Sequence, residues 1–307
     1  MKKREKFLNR IKFLLKLFVL FISASFGFTI FLFVVLLFNL PYIRRAVFGK
    51  LPFKTEKKPW SRVVTFEYMK NLWVDIFYPR GEPRGVVLFA HGGGWISGYR
   101  RQPNNLSWYR FLVSRGFIVA AIEYSRGYKA KIDQLIEELS RALIFLDENS
   151  DKLNLPKSRI SLMGLSAGGH LALLTAAKMH KFVKNVVAYY APCDLKDILE
   201  SPSLFAKIAL LATLKRFPSG SSETLAKYSP VNVVHEFMPP VLLVHGKKDS
   251  VVPYDSSVKL YRKLKRLNCR VVLLTHHEAN HGFEFVLKDG KTKEILQKTV
   301  EFLTEGG

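Results

Sequence analysis

Apolar residues fall along the chain in three patterns. The first is a single long block. Between Lys16 and Arg44 lie 27 uncharged residues, Leu17 to Ile43, in which only Ser23, Ser25, Thr29 and Asn39 are clearly polar. About 20 apolar residues suffice to cross a bilayer as a helix, so residues 17–43 are expected to form a transmembrane anchor. The second pattern is alternation: Val63 to Tyr68 and Leu72 to Tyr78 predict a hairpin at a sheet edge, with Pro79-Arg-Gly and Pro83-Arg-Gly turns after it. The third is a series of short solid runs, Val86 to Ala90, Phe117 to Ile122, Ile160 to Met163, Val186 to Tyr190, Val241 to Val244 and Val271 to Leu274, which predict strands covered on both faces. Between them Ile132, Leu135, Ile136, Leu139, Leu143 and Leu146 recur at helical spacing, as do Val258, Leu260, Tyr261 and Leu264 more loosely.

Strands alternating with helices predict an α/β domain over residues 63–305: a mostly parallel central sheet with helices on both faces. A basic tail (1–16), the anchor (17–43) and a basic linker (44–62) precede it. Ligands of such sheets bind at the carboxyl ends of the strands. Residues 195–237 carry Leu204, Phe205, Ile208, Leu211, Leu214 and Phe217 at helical spacing, which predicts a helical cap inserted over that rim; a surface helix packing on the core has the same pattern.

Charge adds a location to this picture. The formal net charge is +23; residues 1–62 hold 14 Lys and Arg against 2 Glu, and the remainder holds 34 against 23. A cleaved signal peptide has an apolar region of about 7 to 15 residues ending in small residues. Here Ser23-Ala24-Ser25 sits inside the run, which ends Asn39-Leu-Pro-Tyr-Ile43, so an uncleaved anchor is expected. Seven basic residues precede the run and seven follow it before Val63, which leaves the positive-inside rule balanced. A short inner tail and the large domain on the non-cytoplasmic side are expected of a single N-terminal anchor. The basic flanks suit anionic headgroups, and no aromatic-basic motif points to nucleic acid. Cys193 and Cys269 are too few for a disulfide framework and lack metal-ligand spacing, so no cofactor is expected.

The candidate chemistry gathers at predicted strand ends. Gly164-Leu165-Ser166-Ala167-Gly168 follows an apolar strand and leads into Ala- and Leu-rich helix, the strand–turn–helix context of a nucleophile elbow. His91-Gly92-Gly93-Gly94-Trp95 follows the strand Val86 to Ala90, and bare glycine amides there suit an oxyanion hole, with His91 bracing the loop. Asp249 follows the strand Val241 to Val244, with Asp194 and Asp255 as rivals; Asp194 reads better as a turn cap. His281, in Glu278-Ala-Asn-His-Gly-Phe283, has the following glycine that His276 and His277 lack.

The combination H-G-G-G-W, G-x-S-A-G-G, H-G-x-x-D-x-x-V-P and H-G-F resembles the α/β-hydrolase fold over about residues 63 to 305, in its esterase and lipase branch related to hormone-sensitive lipase and arylacetamide deacetylase. That resemblance implies Ser166 as nucleophile, His281 as general base and Asp249 as the residue holding the imidazole. It implies oxyanion donors at the amides of Gly93, Gly94 and Ala167. The motif aromatics Trp95 and Phe283 are expected at the substrate, and an anchor before such a domain looks like the deacetylase arrangement. The family's D-Y-R-L-A-P stretch reads Glu123-Tyr-Ser-Arg-Gly-Tyr128 here, which implies a different pocket. The expected function is a membrane-anchored serine carboxylesterase, deacetylase or lipase acting on a small-molecule or lipid ester. An acyltransferase or serine peptidase of the same fold, and a non-catalytic binding protein on a hydrolase scaffold, are the alternatives.

Overall fold

The computed structural model describes Val19, Arg44 and residues 47–215 and 222–305. The expected anchor, apart from Val19, and Phe217 of the expected cap stripe lie outside the described residues. Among the described residues no helix is long and apolar enough to cross a membrane. The chain divides into two compact units, Met1–Gly49 and Lys50–Gly307, of which the second holds all the predicted chemistry.

That unit opens with β1 (Trp60–Met69), β2 (Leu72–Pro79) and β3 (Gly85–Ala90), then α1 (Pro103–Ser114), β4 (Phe117–Ile122), α2 (Ile132–Glu148), β5 (Ile160–Leu165), α3 (Ala167–Lys178) and β6 (Val183–Tyr189). Four shorter helices follow, α4 (Leu195–Glu200), α5 (Leu204–Leu214), α6 (Ser222–Lys227) and α7 (Pro230–Val233). The unit ends with β7 (Val241–Gly246), α8 (Tyr254–Arg266), β8 (Val271–His276) and α9 (Gly290–Glu305). The eight strands form one sheet in the order β1-β2-β4-β3-β5-β6-β7-β8. β1–β2 and β2–β4 pair antiparallel and the remaining neighbours parallel, so the alternating segments do form an edge hairpin.

The solid apolar runs are strands because both sheet faces are covered. Val86, Leu88 and Ala90 of β3 point into one core with Leu135, Leu139 and Leu143 of α2, Leu171 of α3 and Leu260 of α8. Val87 and Phe89 point into the other with Trp108, Phe111 and Leu112 of α1 and Ile295, Leu296 and Leu303 of α9. Fully burying each large side chain stabilises by roughly 1.5–3 kcal/mol, so the two layers hold the sheet from either side. Helices α1 and α9 escaped the pattern reading, because Asn and Ser dilute the first and Lys, Thr and Gln the second. β8 is the open edge of the sheet rather than a doubly covered strand: Val272 is exposed.

The expected cap stripe is split between two faces of α5. Leu204, Phe205 and Ile208 of α5 are exposed, and the buried face is Ala206, Ala209, Leu210, Thr213 and Leu214. Small residues face inward because α5 lies directly on glycine backbone. A Cβ on Gly127 would fall 2.2 Å from Thr213 Oγ1, and one on Gly94 would fall 3.1 Å from Ala209 Cβ.

Candidate active site

Ser166 stands between β5 and α3 with φ 51° and ψ −117°, a conformation that L residues rarely adopt. The turn is held by Ser166 N–H donating to Tyr189 O at 2.9 Å and by His170 N–H donating to Ser166 O at 3.0 Å. The flanking glycines are required by close approach. A Cβ on Gly164 would lie 2.2 Å from the Gly168 carbonyl carbon, and one on Gly168 would lie 2.1 Å from Ala90 O. These contacts also seat the elbow against the end of β3, whose last residue Ala90 pairs with Gly164.

The loop after β3 is thereby fixed beside the serine. A Cβ on Gly92 would sit 3.2 Å from Leu165 O, and Gly93 and Gly94 have φ of +129° and +60°. Gly93 O accepts from Ser97 N–H at 2.9 Å and from Ser97 Oγ at 2.8 Å, closing a tight turn. Among the described residues no backbone acceptor takes the amide of Gly93 or Gly94. Ala167 is the first residue of α3, so its amide has no intrahelical acceptor and lies at the helix's positive end.

His91 braces this loop, as its place in the motif suggested. Its buried ring stacks on Tyr124 at 4.2 Å, Nδ1 bonds Gly92 O at 2.8 Å, and Nε2 lies 3.6 Å from Glu123 Oε1. Glu123 also accepts from Arg126 at 2.6 Å and from the Arg100 amide at 3.1 Å. Burial alone would raise the Glu123 pKa, but His91, Arg126 and the Arg100 amide hold it down at about 2. Arg100 continues to the buried Asp75 of β2 at 2.8 Å, which Arg101 also engages at 2.7 Å. The altered stretch Glu123 to Tyr128 therefore carries the charged brace of the glycine loop.

Trp95 and Phe283, expected beside substrate, are both buried. Trp95 Nε1–H donates to His170 Nδ1 at 3.3 Å, and His170 Nε2–H donates to Tyr228 O at 2.8 Å. Desolvation lowers the His170 pKa to about 4, so the ring is neutral and can accept from the indole. Phe283 packs on Tyr189 and His276. The open aromatic ring beside the glycine loop is Phe205, whose Cε1 would lie 3.0 Å from a Cβ on Gly94.

Asp249 and His281 arrive from loops after β7 and β8. Asp249 Oδ1 accepts from the amides of Val251 and Val252 at 2.8 and 2.9 Å. Its Oδ2 faces His281 Nδ1 at 2.8 Å and His245 Nε2 at 3.2 Å. Burial would raise this pKa too, yet the two imidazoles hold the carboxyl well below the usual range. His281 Nε2 then lies 3.0 Å from Ser166 Oγ. Asp194 caps α4 through the Lys196 amide, and Asp255 lies in the first turn of α8, so neither rival joins this row. His276 faces Asp289 at 3.3 Å, apart from the serine. His245 was missed by sequence reasoning, although its place in the H-G-x-x-D motif was a signal. The row can activate a hydroxyl by passing its proton to a ring held by a carboxylate.

A nucleophile elbow at the carboxyl end of a central parallel strand, facing an imidazole from a later strand end, defines an α/β-hydrolase. Residues 74–264 match the BD-FAE family, and the chain belongs to that family of α/β-hydrolase esterases. It is similar to a rice (Oryza sativa subsp. japonica) protein named "Probable isoprenylcysteine alpha-carbonyl methylesterase", with 29% identity over 246 residues covering 72% of this chain and 58% of the relative. Esterase LipC of Mycobacterium tuberculosis is 25% identical over 244 residues, covering 73% of this chain and 59% of the relative. The chain thus spans under two thirds of the length of these relatives. Among solved structures, a truncated carbohydrate esterase from gut microbiota superposes with a TM-score of 0.72 at 20% identity, covering 82% of this chain and 99% of that one. An esterase of Pyrobaculum calidifontis superposes with a TM-score of 0.69 at 23% identity, covering 87% and 89%. Both likenesses show the fold.

Proposed function

We propose that the chain is a membrane-anchored serine carboxylesterase that works through an acyl-enzyme on Ser166. The observation that carries the reading is the bridge made by His281, 2.8 Å from Asp249 on one side and 3.0 Å from Ser166 on the other. A serine hydroxyl is a weak nucleophile at neutral pH, so the imidazole takes its proton as the new C–O bond forms to the ester carbonyl. The carbonyl electron pair moves onto oxygen, where the amides of Gly93, Gly94 and Ala167 receive it, each donor contributing about 3 kcal/mol. Asp249 stabilises the imidazolium, which returns the proton to the leaving alcohol. Water then cleaves the acyl-serine by the same proton route.

A lipophilic ester is the substrate class this reading favours. Phe205 stands exposed beside Gly94, Leu204 and Ile208 are exposed on the same helix, and relatives are named as isoprenylcysteine methylesterases. The uncharged run 17–43 supports a bilayer anchor, and the non-cytoplasmic side is the usual place for a domain that follows a single N-terminal anchor. A fluorophosphonate probe should label the protein and fail to label Ser166→Ala; retained labelling of that variant would refute the nucleophile. Equal turnover of charged hydrophilic and lipophilic p-nitrophenyl esters would refute the substrate class. Release of the protein from membranes by alkaline carbonate would refute the anchor.

A further inference from the structure

Near His281 the interior holds a second carboxyl group. Glu284 is fully buried and sits three residues along the chain, between Phe283 and Phe285, in a short 3-10 turn. Tyr190 Oη–H donates to Glu284 Oε1 at 2.6 Å, and Trp108 Nε1–H of α1 approaches the same oxygen at 3.4 Å. The other oxygen, Oε2, has no hydrogen-bond partner among the described residues. Tyr190 follows β6, adopts φ +38°, and lays its ring 4.4 Å from that of His281 at an interplanar angle of 54°.

A buried carboxyl with one unpaired oxygen is costly, and a tyrosine in a left-handed conformation adds strain. Neither feature is needed to build the sheet. Together they put a tyrosine ring against the proposed base and pin its hydroxyl from behind.

We propose that Glu284 is a positioning residue for His281, acting through Tyr190: the hydrogen bond fixes the ring that flanks the imidazole, and the carboxylate supports the imidazolium formed as Ser166 is attacked. This rests on the esterase reading above. Both donors to Oε1 favour the ionised form, while burial opposes it, and the balance leaves the Glu284 pKa raised to about 7. The charged and titratable groups around it are Tyr190 and His281, Tyr189 of β6, and Asp249 beyond Tyr190. A negative charge there stabilises the imidazolium of the transition state, and it is present only where Glu284 is ionised, above about pH 7.

The test is the pH dependence of kcat and KM on a p-nitrophenyl ester for wild type, Glu284→Gln and Tyr190→Phe. Glu284→Gln keeps an acceptor for the tyrosine and loses the charge. It should lower kcat several-fold at unchanged KM at about pH 8, where Glu284 is ionised, and have a clearly smaller effect at about pH 6, where Glu284 is mostly protonated. Tyr190→Phe keeps the flanking ring and cuts the link, so it should lower kcat similarly, and the double variant should be no worse than the more impaired single. An equal loss at pH 6 and pH 8 in Glu284→Gln would overturn the role of the charge, and additive losses in the double variant would overturn the path through Tyr190. Should Glu284→Gln fail to fold, Tyr190→Phe with wild-type kcat overturns the proposal by itself. Absence of turnover and of fluorophosphonate labelling in the wild type would instead refute the esterase reading.

Discussion

His281 Nε2 stands 3.0 Å from Ser166 Oγ across 115 residues of sequence. Two loops at the ends of β7 and β8 make this approach possible, and Asp249 holds it by occupying Nδ1. Asp249 Oδ1 is taken by two backbone amides, so Oδ2 accepts from His281 and also lies 3.2 Å from His245 Nε2–H, which donates to Val252 O at 3.0 Å. An Asn at 249 would keep its carbonyl on the amides and turn its NH2 toward two ring N–H donors. Asp249→Asn should therefore leave the fold intact and lower kcat by about 10⁴, the scale measured for the same exchange in a serine protease triad. A near wild-type rate on p-nitrophenyl acetate would remove Asp249 from the mechanism.

The elbow glycines make a steric prediction with an internal control. A methyl group at Gly168 would enter the Ala90 carbonyl oxygen, 2.1 Å away, whereas one at Gly290 meets nothing within 4 Å. Gly168→Ala should abolish soluble, labelled protein or lower its melting temperature sharply. Gly290→Ala, at the first residue of α9, should be neutral or stabilising by up to about 1 kcal/mol. Equal melting temperatures for the two variants would contradict the packing described for the elbow.

Glu284 also predicts how stability changes with pH. Its folded pKa of about 7 lies above the ordinary 4.5, so between those values the folded chain binds more proton than the unfolded one. Stability from this group is full below about pH 4.5 and is lost as pH rises through 7, by an amount on the order of 3 kcal/mol. Glu123 and Asp249, whose pKa values are lowered, act oppositely and only as pH falls below the usual carboxylate range. Comparing urea midpoints of wild type and Glu284→Gln at pH 5 and pH 8 isolates Glu284. The variant should gain on the wild type at the higher pH, and parallel behaviour would show that Glu284 titrates normally.

The exposed face of α5 separates substrate recognition from stability. Leu204 and Phe205 are 71% and 51% exposed, so Leu204→Ser and Phe205→Ala should change stability by less than about 1 kcal/mol. KM for long-chain acyl esters should rise while that for acetyl esters stays put. A uniform loss across chain lengths would place this face outside substrate binding.

The order of the strands and the edge hairpin were legible in the chain because each rests on a local rule, and local rules also singled out Ser166, Asp249 and His281, which the fold brings within hydrogen-bond reach. A solid apolar run needs two covered faces, a serine between glycines marks a sharp turn, and a histidine before glycine follows a strand end. The dilute patterns of α1 and α9 hid two helices, since their apolar residues are interleaved with polar ones. What α5 packs on was invisible for a different reason: an apolar stripe records spacing but not its partner, and part of that partner proved to be the backbone of Gly94 and Gly127.

Tertiary structure alone decided the rest. Asp75, Arg100, Glu123 and His91 become one brace, and Trp108, Tyr190 and Glu284 become one support, only when β2, β3, β4, β6, α1 and the final loops are assembled. Glu284 between two phenylalanines was the sole sequence hint of the second group. Sequence fixes which residues can do chemistry through local backbone preference. Which of them meet, and with what pKa, depends on long-range burial that no short stretch encodes.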